Sequence, residues 1–231
     1  METLLKKGLA ELGLDCSGTP PLLRYGELLL ETNKVMNLTA ITEPKDVATL
    51  HFLDSAALLT LADLKGKTVV DVGTGAGFPG MPMKILEPSI QLTLLDSLGK
   101  RITFLQEVCD NLGLTDVQCV HARAEEFAAE HRQSFDFAVS RAVANLSVLG
   151  ELCLPLVKPG GYFLSMKSVE SGQELEAAKK AIQILGGRVE RTADYQIPGT
   201  DVTHRGTSRE KIAETPKKYP RPCAKIKKNP L

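Results

Sequence analysis

Residues 69–80 read VVDVGTGAGFPG, a β-branched run followed by four glycines within eight residues. The run predicts a buried strand that ends at Val72, and Pro79 suits the first turn of a following helix. Glycine in such a turn adopts positive φ and lets the backbone approach a ligand closely. Two interpretations are open: a loop that binds a ligand, and a strand-to-helix turn with a structural role only.

Beyond this loop, the chain alternates between strand and helix patterns. Apolar residues at helical spacing separate the strands, as at Ile102, Leu105 and Cys109. Such alternation is typical of βαβ units, whose parallel sheet is covered by helices on both faces. The predicted strands are 68–72, 92–96, 117–121, 135–140 and 161–166.

The patterns divide the chain into three segments. Residues 1–64 show helical periodicity and predict an N-terminal helical extension. Residues 65–203 predict an α/β, Rossmann-like core with a mostly parallel central sheet. Residues 204–231 form a basic C-terminal tail of net charge +7, whereas the rest of the chain carries −7. The tail indicates a polyanionic partner such as nucleic acid, and a solvated, disordered tail is the open alternative.

The composition is ordinary for a soluble globular protein, with 43% hydrophobic and 24% charged residues. No apolar run approaches the roughly 18 residues of a membrane span, and the N-terminus lacks a signal-peptide pattern. The five cysteines are scattered and include no CxxC pair, so neither a disulfide framework nor a zinc site is expected. We therefore expect a cytoplasmic protein with no metal site and no membrane contact.

In parallel α/β sheets, ligands bind at the carboxyl ends of the strands. Counted from Gly73, the first loop reads GxGxG, and the dinucleotide fingerprint GxGxxG fits only from Gly75, with Pro79 inside it. Asp96 ends the second strand, 23 residues after Gly73, where a carboxylate accepts both hydroxyls of a ribose. The glycine loop and this carboxylate together predict a ligand with an adenosine-like half.

Two further strand ends carry polar residues. After the third strand, residues 121–126 (HARAEE) stand where a loop can grip an adenine edge, although Glu125 and Glu126 also suit a helix N-terminus. Arg141 follows the fourth strand, where a guanidinium holds a carboxylate or a phosphate in two hydrogen bonds. A surface arginine is the alternative for this position.

Seven motifs follow one another along nearly the whole chain. They are NLTAI at 37–41, HFLDS at 51–55, DVGTGAGFPG at 71–80, LLDS at 94–97, RAEE at 123–126, SRAV at 140–143 and TPKKYPR at 215–221. The glycine loop alone is weakly specific, but GAGFPG, SRAV and TPKKYPR in this order are highly specific. The chain thereby resembles the class I S-adenosylmethionine-dependent methyltransferases and, among them, the ribosomal RNA small subunit methyltransferase G family, also called glucose-inhibited division protein B.

The resemblance implies a Rossmann-like class I methyltransferase fold and methylation of N7 of a guanine in bacterial 16S ribosomal RNA, within the small subunit or an assembly intermediate. It implies S-adenosyl-L-methionine as the cofactor, with contacts at Gly73, Phe78, Ala124, Glu125 and Arg141. The glycine loop adds Gly75, and the ribose argument adds Asp96. No catalytic residue is expected, because N7 is a free acceptor and no proton leaves before it attacks the methyl group. We expect a monomer.

With RNA as the implied substrate, six residues are candidates for contacting it: Asn37, His51, Lys167, Lys217, Lys218 and Arg221. The three tail cations suit phosphate contacts, which set affinity and salt dependence rather than sequence choice. His51, Asp54 and Ser55 share one helix face, so a hydrogen-bond cluster that braces the extension on the core is an open alternative. Lys167, after the fifth strand, is alternatively a solvated strand end.

Two stretches depart from the family pattern. Relatives usually have an apolar late strand before TPKKYPR, whereas HRGTSRE at 204–210 is poor strand material. Residues 222–224, Pro-Cys-Ala, stand where relatives more often have a glycine-containing turn. The first stretch is therefore not expected to form a regular strand, and the placing of the tail stays open.

Three other functions stay open. The enzyme could methylate another RNA site or a small molecule. The residues on the acceptor side of the cleft determine which of these acceptors is used. A ribosome-binding protein with a vestigial cofactor pocket is disfavoured by the intact glycine loop and Asp96. A nicotinamide-dependent dehydrogenase is disfavoured because its fingerprint fits only in the late register that starts at Gly75.

Overall fold

Seven strands form the central sheet of the computed structural model, which describes residues 1–141, 144–169 and 172–231. They are β1 (Thr68–Val72), β2 (Gln91–Asp96), β3 (Val117–His121), β4 (Phe135–Ser140), β5 (Val157–Ser168), β6 (Gly187–Gln196) and β7 (Thr203–Lys211). Their order is β3-β2-β1-β4-β5-β7-β6, with β7 antiparallel to both neighbours and the other pairs parallel. The predicted α/β class with a mostly parallel central sheet is confirmed.

Helices cover both faces of this sheet. Their bounds are α1 (Glu2–Glu11), α2 (Thr19–Met36), α3 (Pro44–Asp46), α4 (Asp54–Ala56), α5 (Gly80–Leu86), α6 (Gly99–Leu112), α7 (Ala124–Glu130), α8 (Leu146–Cys153), α9 (Gly172–Ile184) and α10 (Cys223–Lys228). A π-helical turn, Val47–Leu53, joins α3 to α4 into one helical stretch. Across the described ranges, no helix combines the length and the apolar character needed to cross a membrane.

The strand order reverses at β1, which lies between β2 and β4. In such sheets a crevice opens at the carboxyl ends of the strands on either side of the reversal. The glycine loop follows β1, Asp96 ends β2 and Arg141 follows β4, so all three lie along this edge. The topology thus brings together residues that the sequence separates by as many as 68 positions.

The five predicted strands are all present. β1, β3 and β4 have the predicted bounds, β2 begins one residue earlier, and β5 runs from Val157 to Ser168.

β6 was not predicted. It alternates exposed and half-buried residues near the edge of the sheet, and its sequence GRVERTADYQ has no apolar run. Such a strand is fixed by its partner β7 rather than by its own composition.

The expectation for residues 204–210 is wrong, because this stretch forms most of β7. β7 lies between β5 and β6 and pairs with both, so its backbone is hydrogen-bonded on two sides. That pairing outweighs a weak intrinsic strand preference. One of its two buried cations is well supplied with acceptors, since Lys211 Nζ donates to Leu154 O at 2.7 Å and to Leu185 O at 3.2 Å. The predicted tail of residues 204–231 therefore begins inside the sheet.

The remainder of the tail is folded against α7 and α8. Thr215, Tyr219 and Ile226 are buried. Arg132, between α7 and β4, donates from Nη1 to Tyr219 O at 2.6 Å and from Nη2 to Thr215 O at 2.5 Å. The disordered-tail alternative is therefore wrong.

The N-terminal extension packs on the face of the sheet that α5 and α6 also cover. Buried residues of α1, α2 and the 44–56 stretch share one hydrophobic core with these helices. Tyr25 on α2 donates from its hydroxyl to Ala76 O in the glycine loop. Its ring centroid lies 5.6 Å from that of Phe78. The second core, on the opposite face, is formed with α7, α8 and α9.

Candidate active site

The glycine loop after β1 forms the floor of the crevice. Gly73 and Gly75 have φ values of 71° and 62°, which L side chains rarely adopt. Within the described residues, a Cβ added at either position meets no atom within 4 Å, so both face open space. At Gly77 a Cβ would instead lie 2.4 Å from the Tyr25 hydroxyl. The loop therefore leaves room for a ligand on one side and packs tightly against α2 on the other.

Asp71 holds the two ends of this loop together. It is fully buried, and its Oδ2 accepts from Thr74 Oγ1 at 2.7 Å and from Gly80 N at 2.8 Å. Burial raises the pKa of Asp71 to about 6, because a charge is costly without water. Sequence reasoning missed this role, although an acid inside an otherwise apolar strand is the signal that would have found it.

Asp96 lies beside the loop at the end of β2 and is only 4% exposed. Its Oδ2 accepts from Gly75 N at 2.9 Å and from Arg101 Nη1 at 3.2 Å, and its Oδ1 accepts from Leu98 N at 2.9 Å. The carboxylate is therefore held in a fixed orientation next to the open space at Gly75. The ribose contact of Asp96 stays a prediction, and Arg101 is an additional cation at this position that the sequence analysis did not single out.

Phe78 lies in a stack of aromatic and cationic side chains. Its ring is 4.2 Å from the His51 ring, with 13° between the two planes. The Arg141 guanidinium carbon is 4.8 Å from the Phe78 centroid. Phe78 is buried, so its side chain joins the glycine loop to the N-terminal extension and to β4. The structure thus brings three of the predicted site residues together.

Arg141 is half-buried and bound to the helical stretch 44–56. Its Nη1 donates to Leu50 O at 2.8 Å, and its Nη2 donates to His51 Nδ1 at 2.7 Å. Because a guanidinium only donates, His51 carries its proton on Nε2 and donates it to Thr39 Oγ1 at 2.9 Å. Burial, and then the charge of Arg141, lower the pKa of His51 to about 3, so the imidazole is neutral.

Asp54 connects this stretch to the far edge of the sheet. It is buried, and its Oδ1 accepts from the Tyr195 hydroxyl and from His204 Nδ1, both at 2.9 Å. Its Oδ2 lies 3.4 Å from Arg141 Nη1. Ser55 donates to His51 O at 2.6 Å. Asp54 and Ser55 therefore serve as the bracing cluster that the sequence left as an alternative, and His51 links that cluster to the cleft.

Ala124 and Glu125 begin α7, just after β3. They are partly buried at the same edge of the sheet as Asp96, whose backbone oxygen accepts from Ala122 N at 3.2 Å. Glu125 also has a partner that the sequence did not indicate, since its Oε1 accepts from Cys223 N at 3.1 Å. Residues 222–224, whose placement was open, are thus tied to the loop that follows β3.

The six RNA candidates fall into two groups. Asn37, Lys217 and Lys218 are exposed, whereas His51 is buried. Lys167 is not a solvated strand end: its Nζ donates to Ala144 O at 2.6 Å and to Glu174 Oε1 at 2.9 Å, which holds the chain after β4.

Arg221 is engaged in a buried ion pair. Its Nε and Nη2 donate to the two carboxylate oxygens of Glu151 at 2.8 and 2.6 Å, and its backbone N also donates to Glu151 at 2.8 Å. Glu151 is fully buried in α8. Arg221 therefore anchors the tail. The neighbouring Lys217 and Lys218 are exposed, and the Lys218 ammonium lies 5.3 Å from the centroid of the Tyr219 ring.

Solved structures similar to this one include a protein in complex with AdoMet and a protein described as a SAM-dependent methyltransferase. M. jannaschii TYW2 in complex with AdoMet aligns with a TM-score of 0.56 at 14% identity, covering 69% of this chain and 75% of that chain. A SAM-dependent methyltransferase from Aquifex aeolicus aligns with a TM-score of 0.54 at 19% identity, covering 76% and 97%. At these identities the likeness supports the class I methyltransferase fold.

Sequence relatives match far more closely. The protein named "Ribosomal RNA small subunit methyltransferase G" from Alkaliphilus metalliredigens is 49% identical over 233 residues, 99% of this chain and 98% of its own. Its namesake from Clostridium botulinum strain Loch Maree is 50% identical over 210 residues, 90% and 88% of the two chains. The GidB family model, described as rRNA small subunit methyltransferase G, matches residues 19–200. The resemblance read from the motifs is confirmed, and the chain belongs to the rRNA small subunit methyltransferase G family.

Proposed function

We propose that the protein transfers a methyl group from S-adenosyl-L-methionine to N7 of a guanine in 16S ribosomal RNA. The substrate is the small ribosomal subunit or an assembly intermediate, and the enzyme acts in the cytoplasm as a monomer. The family and its methyltransferase activity support the reaction type. The observation that carries the proposal is the open glycine loop of β1 beside the fixed carboxylate of Asp96.

The residues of the cleft fit the cofactor. Open space at Gly73 and Gly75 is what a ligand lying on the loop needs. Asp96 offers carboxylate oxygens to the two hydroxyls of a ribose. Ala124 and Glu125 lie at the next strand end, where an adenine would be gripped. When bound, S-adenosyl-L-methionine supplies an electrophilic methyl group on a sulfonium sulfur.

Arg141 suits the methionine carboxylate. A guanidinium has five N–H groups, and the recorded bonds of Nη1 and Nη2 leave its Nε–H and one Nη2–H without a partner within the described residues. Those two hydrogens can bind one carboxylate. Leu50 O and His51 fix the orientation of the guanidinium before any ligand arrives.

The protein's task at the acceptor is alignment rather than proton removal. Guanine N7 carries a free lone pair, so holding the base in line with the methyl group is sufficient for attack. The product base is cationic, which disfavours further positive charge around it. His51, kept neutral by its burial and by Arg141, adds none. This is consistent with a site without a dedicated general base.

The exposed lysines of the tail suit RNA phosphates. The backbone on both sides of Lys217 and Lys218 is held in place, because Arg132 donates to Thr215 O and to Tyr219 O. Lys225, Lys227 and Lys228 on α10 extend the same basic segment. Such contacts raise affinity for any RNA and weaken as salt increases.

Methyl transfer itself is the test of this function. Small subunits from a strain that lacks the activity are incubated with the protein and radiolabelled S-adenosyl-L-methionine, and the modified nucleotide is mapped. We expect label at one guanine of 16S ribosomal RNA. The RNA chain should be cleaved at that guanine by reduction followed by aniline treatment, as expected for N7-methylguanine. Label on another atom or another RNA would show a different acceptor, and no label would favour the ribosome-binding alternative.

Binding of S-adenosylhomocysteine tests the cofactor site separately. Asp96→Asn removes the charge that accepts from the ribose, and we expect a loss of affinity of roughly ten- to hundredfold, as for a hydrogen bond to a charged group. Asp110→Asn is the matched control, because Asp110 is an exposed acid at the far end of α6. Equal affinities of the two variants would remove Asp96 from the site.

A further inference from the structure

The segment 34–42, which ends α2 and follows it, lies across the carboxyl edge of the sheet. At one end, Lys100 Nζ donates to Met36 O at 3.1 Å. At the other end, Thr39 Oγ1 accepts from His51 Nε2 at 2.9 Å. These two bonds attach the segment to opposite sides of the cleft.

The two attachments belong to neighbouring strand ends. Lys100 lies at the start of α6, four residues after Asp96 and β2. His51 is bonded to Arg141, which follows β4. β1 and its glycine loop lie between these two strands. A molecule in contact with the segment 34–42 is therefore next to the place that the methyl acceptor must reach.

Asn33 holds this segment in one conformation. Its Oδ1 accepts from Leu38 N at 2.6 Å and from Thr39 N at 2.9 Å, and its Nδ2 donates to Thr39 O at 2.9 Å. Asn37 ends α2 with a left-handed backbone, φ 49°. The segment is thus a preformed surface, which lowers the cost of ordering it around a ligand.

A pocket of about 580 Å³ opens in the angle between the last turn of α2 and the residues that follow. Amide, hydroxyl and ammonium groups line it together with two apolar side chains. The lining residues are Leu30, Asn33, Lys34, Asn37, Thr39, Ala40 and Thr42. Thr39 belongs both to this pocket and to the hydrogen-bond chain that leads through His51 to Arg141.

We propose that this pocket, separate from the cofactor cleft, receives a nucleotide of the substrate RNA that flanks the target guanine. This inference rests on the proposed function and assigns a specificity site to it. Leu30 and Ala40 offer apolar contact to a base, and the amide of Asn37 and the hydroxyl of Thr42 meet its polar edge. The ammonium of Lys34 pairs with the phosphate.

The chemistry of the pocket favours RNA over a protein partner. Unstacked bases of single-stranded RNA are recognised by stacking and by hydrogen bonds to their edges, with cations on the backbone. The lining supplies all three kinds of group. Val35, which follows the lining residue Lys34 in the chain, is an apolar side chain that is 81% exposed. When the target guanine reaches the cofactor, the nucleotides that flank it are brought next to this pocket. A protein partner would not be brought there by the reaction.

The double variant Lys34→Gln/Asn37→Gly tests the pocket. Glycine keeps the left-handed backbone at 37 while removing the amide. We expect KM for small subunits to rise about tenfold or more, with the affinity for S-adenosylhomocysteine within twofold of the parent. Lys34→Gln alone lowers the slope of log affinity against log salt by about 0.7 to 0.9, the value for one phosphate contact. Lys7→Gln, an exposed lysine on α1, is the control and changes neither quantity.

The outcomes separate this inference from the function on which it rests. If the parent protein puts no label into 16S ribosomal RNA, the proposed function fails and this site fails with it. If the parent is active and the double variant keeps its KM, the pocket does not hold RNA. A KM increase with an unchanged salt slope would point to a ribosomal protein in the pocket and overturn the proposal. Parallel loss of S-adenosylhomocysteine binding would make the segment structural and overturn it as well.

Discussion

Replacing the buried Arg209 by methionine should stabilise the protein. Arg209 lies in β7 with 0% exposure, and no carboxylate forms an ion pair with it within the described residues. Its Nη1 donates to Ser165 Oγ at 2.9 Å, while its Nε and Nη2 are without a hydrogen-bond partner in the described part of the chain. The Phe163 ring, with its centroid 4.9 Å from the guanidinium carbon, is the other main contact.

The size of the effect follows from the charge. Burial lowers the pKa of Arg209 from 12.5 to about 10, which corresponds to roughly 3 kcal/mol of unfavourable free energy for the charged form in the folded protein. Methionine keeps apolar volume and a sulfur–aromatic contact of about 0.3–1.5 kcal/mol in place of the cation–π contact. Loss of the bond to Ser165 costs about 1 kcal/mol. The net gain is about 1–3 kcal/mol, in the range seen when buried ions are replaced by apolar residues.

Thermal and urea unfolding measure this difference. A gain of 1–3 kcal/mol raises Tm by roughly 3–10 °C for a chain of this size. Arg188→Met is the control, because Arg188 is an exposed strand residue paired with Glu210, and a surface pair contributes about 0–1 kcal/mol. A lower Tm for Arg209→Met than for the parent would refute the reasoning, since it would mean that the guanidinium has a net stabilising partner.

Three further predictions concern the site and its anchors. His51 stays neutral in the folded protein because its pKa is about 3, whereas in the unfolded chain it binds a proton below about pH 6.5, so the free energy of unfolding falls as the pH drops through this window. Between pH 7 and 5, the free energy of unfolding of the His51→Gln variant should therefore fall by roughly 2 kcal/mol less than that of the parent, as measured by urea titrations. Arg221→Ala leaves the buried Glu151 uncompensated and should lower the free energy of unfolding by about 3–5 kcal/mol, against less than about 0.5 for Lys217→Ala. Asp71→Ala removes the acceptor for Thr74 and Gly80 and should weaken S-adenosylhomocysteine binding more than tenfold in calorimetry. Asp71→Asn retains an acceptor at this position and is the control. Equal affinities of the two variants would contradict this role of Asp71.

The parts of the fold that the sequence predicted depend on local patterns. The strands β1, β2 and β4 are largely apolar and buried between two layers of helices, and such runs are visible in the sequence alone. The glycine loop and Asp96 were found because their spacing along one βαβ unit fixes their spatial relation. Arg141 was found from its position after the fourth strand, whereas Phe78 came from the family resemblance. The structure places the Arg141 guanidinium carbon 4.8 Å from the centroid of the Phe78 ring.

The parts that the sequence missed depend on partners far along the chain. β7 contains two buried cations, and nothing near Lys211 in sequence reveals that Leu154 O and Leu185 O accept its hydrogen bonds. Asp54 is bonded to Tyr195 and His204, 141 and 150 residues away. Charged residues in such positions look like surface residues until their distant acceptors are known.

The anchoring of the tail also changes how its role in RNA binding has to be tested. Arg132, two residues beyond α7, donates to Thr215 O and Tyr219 O, and Glu125 at the start of α7 accepts from Cys223 N. The tail is therefore attached at both of these positions. Deleting the tail would expose buried surface and release Glu125, which lies in the predicted adenine loop. A truncated protein would then lose cofactor affinity for structural reasons. Exposed lysines can instead be replaced singly, because Lys217 and Lys218 lie outside these contacts, and their variants should lower RNA affinity and its salt dependence while leaving S-adenosylhomocysteine binding intact.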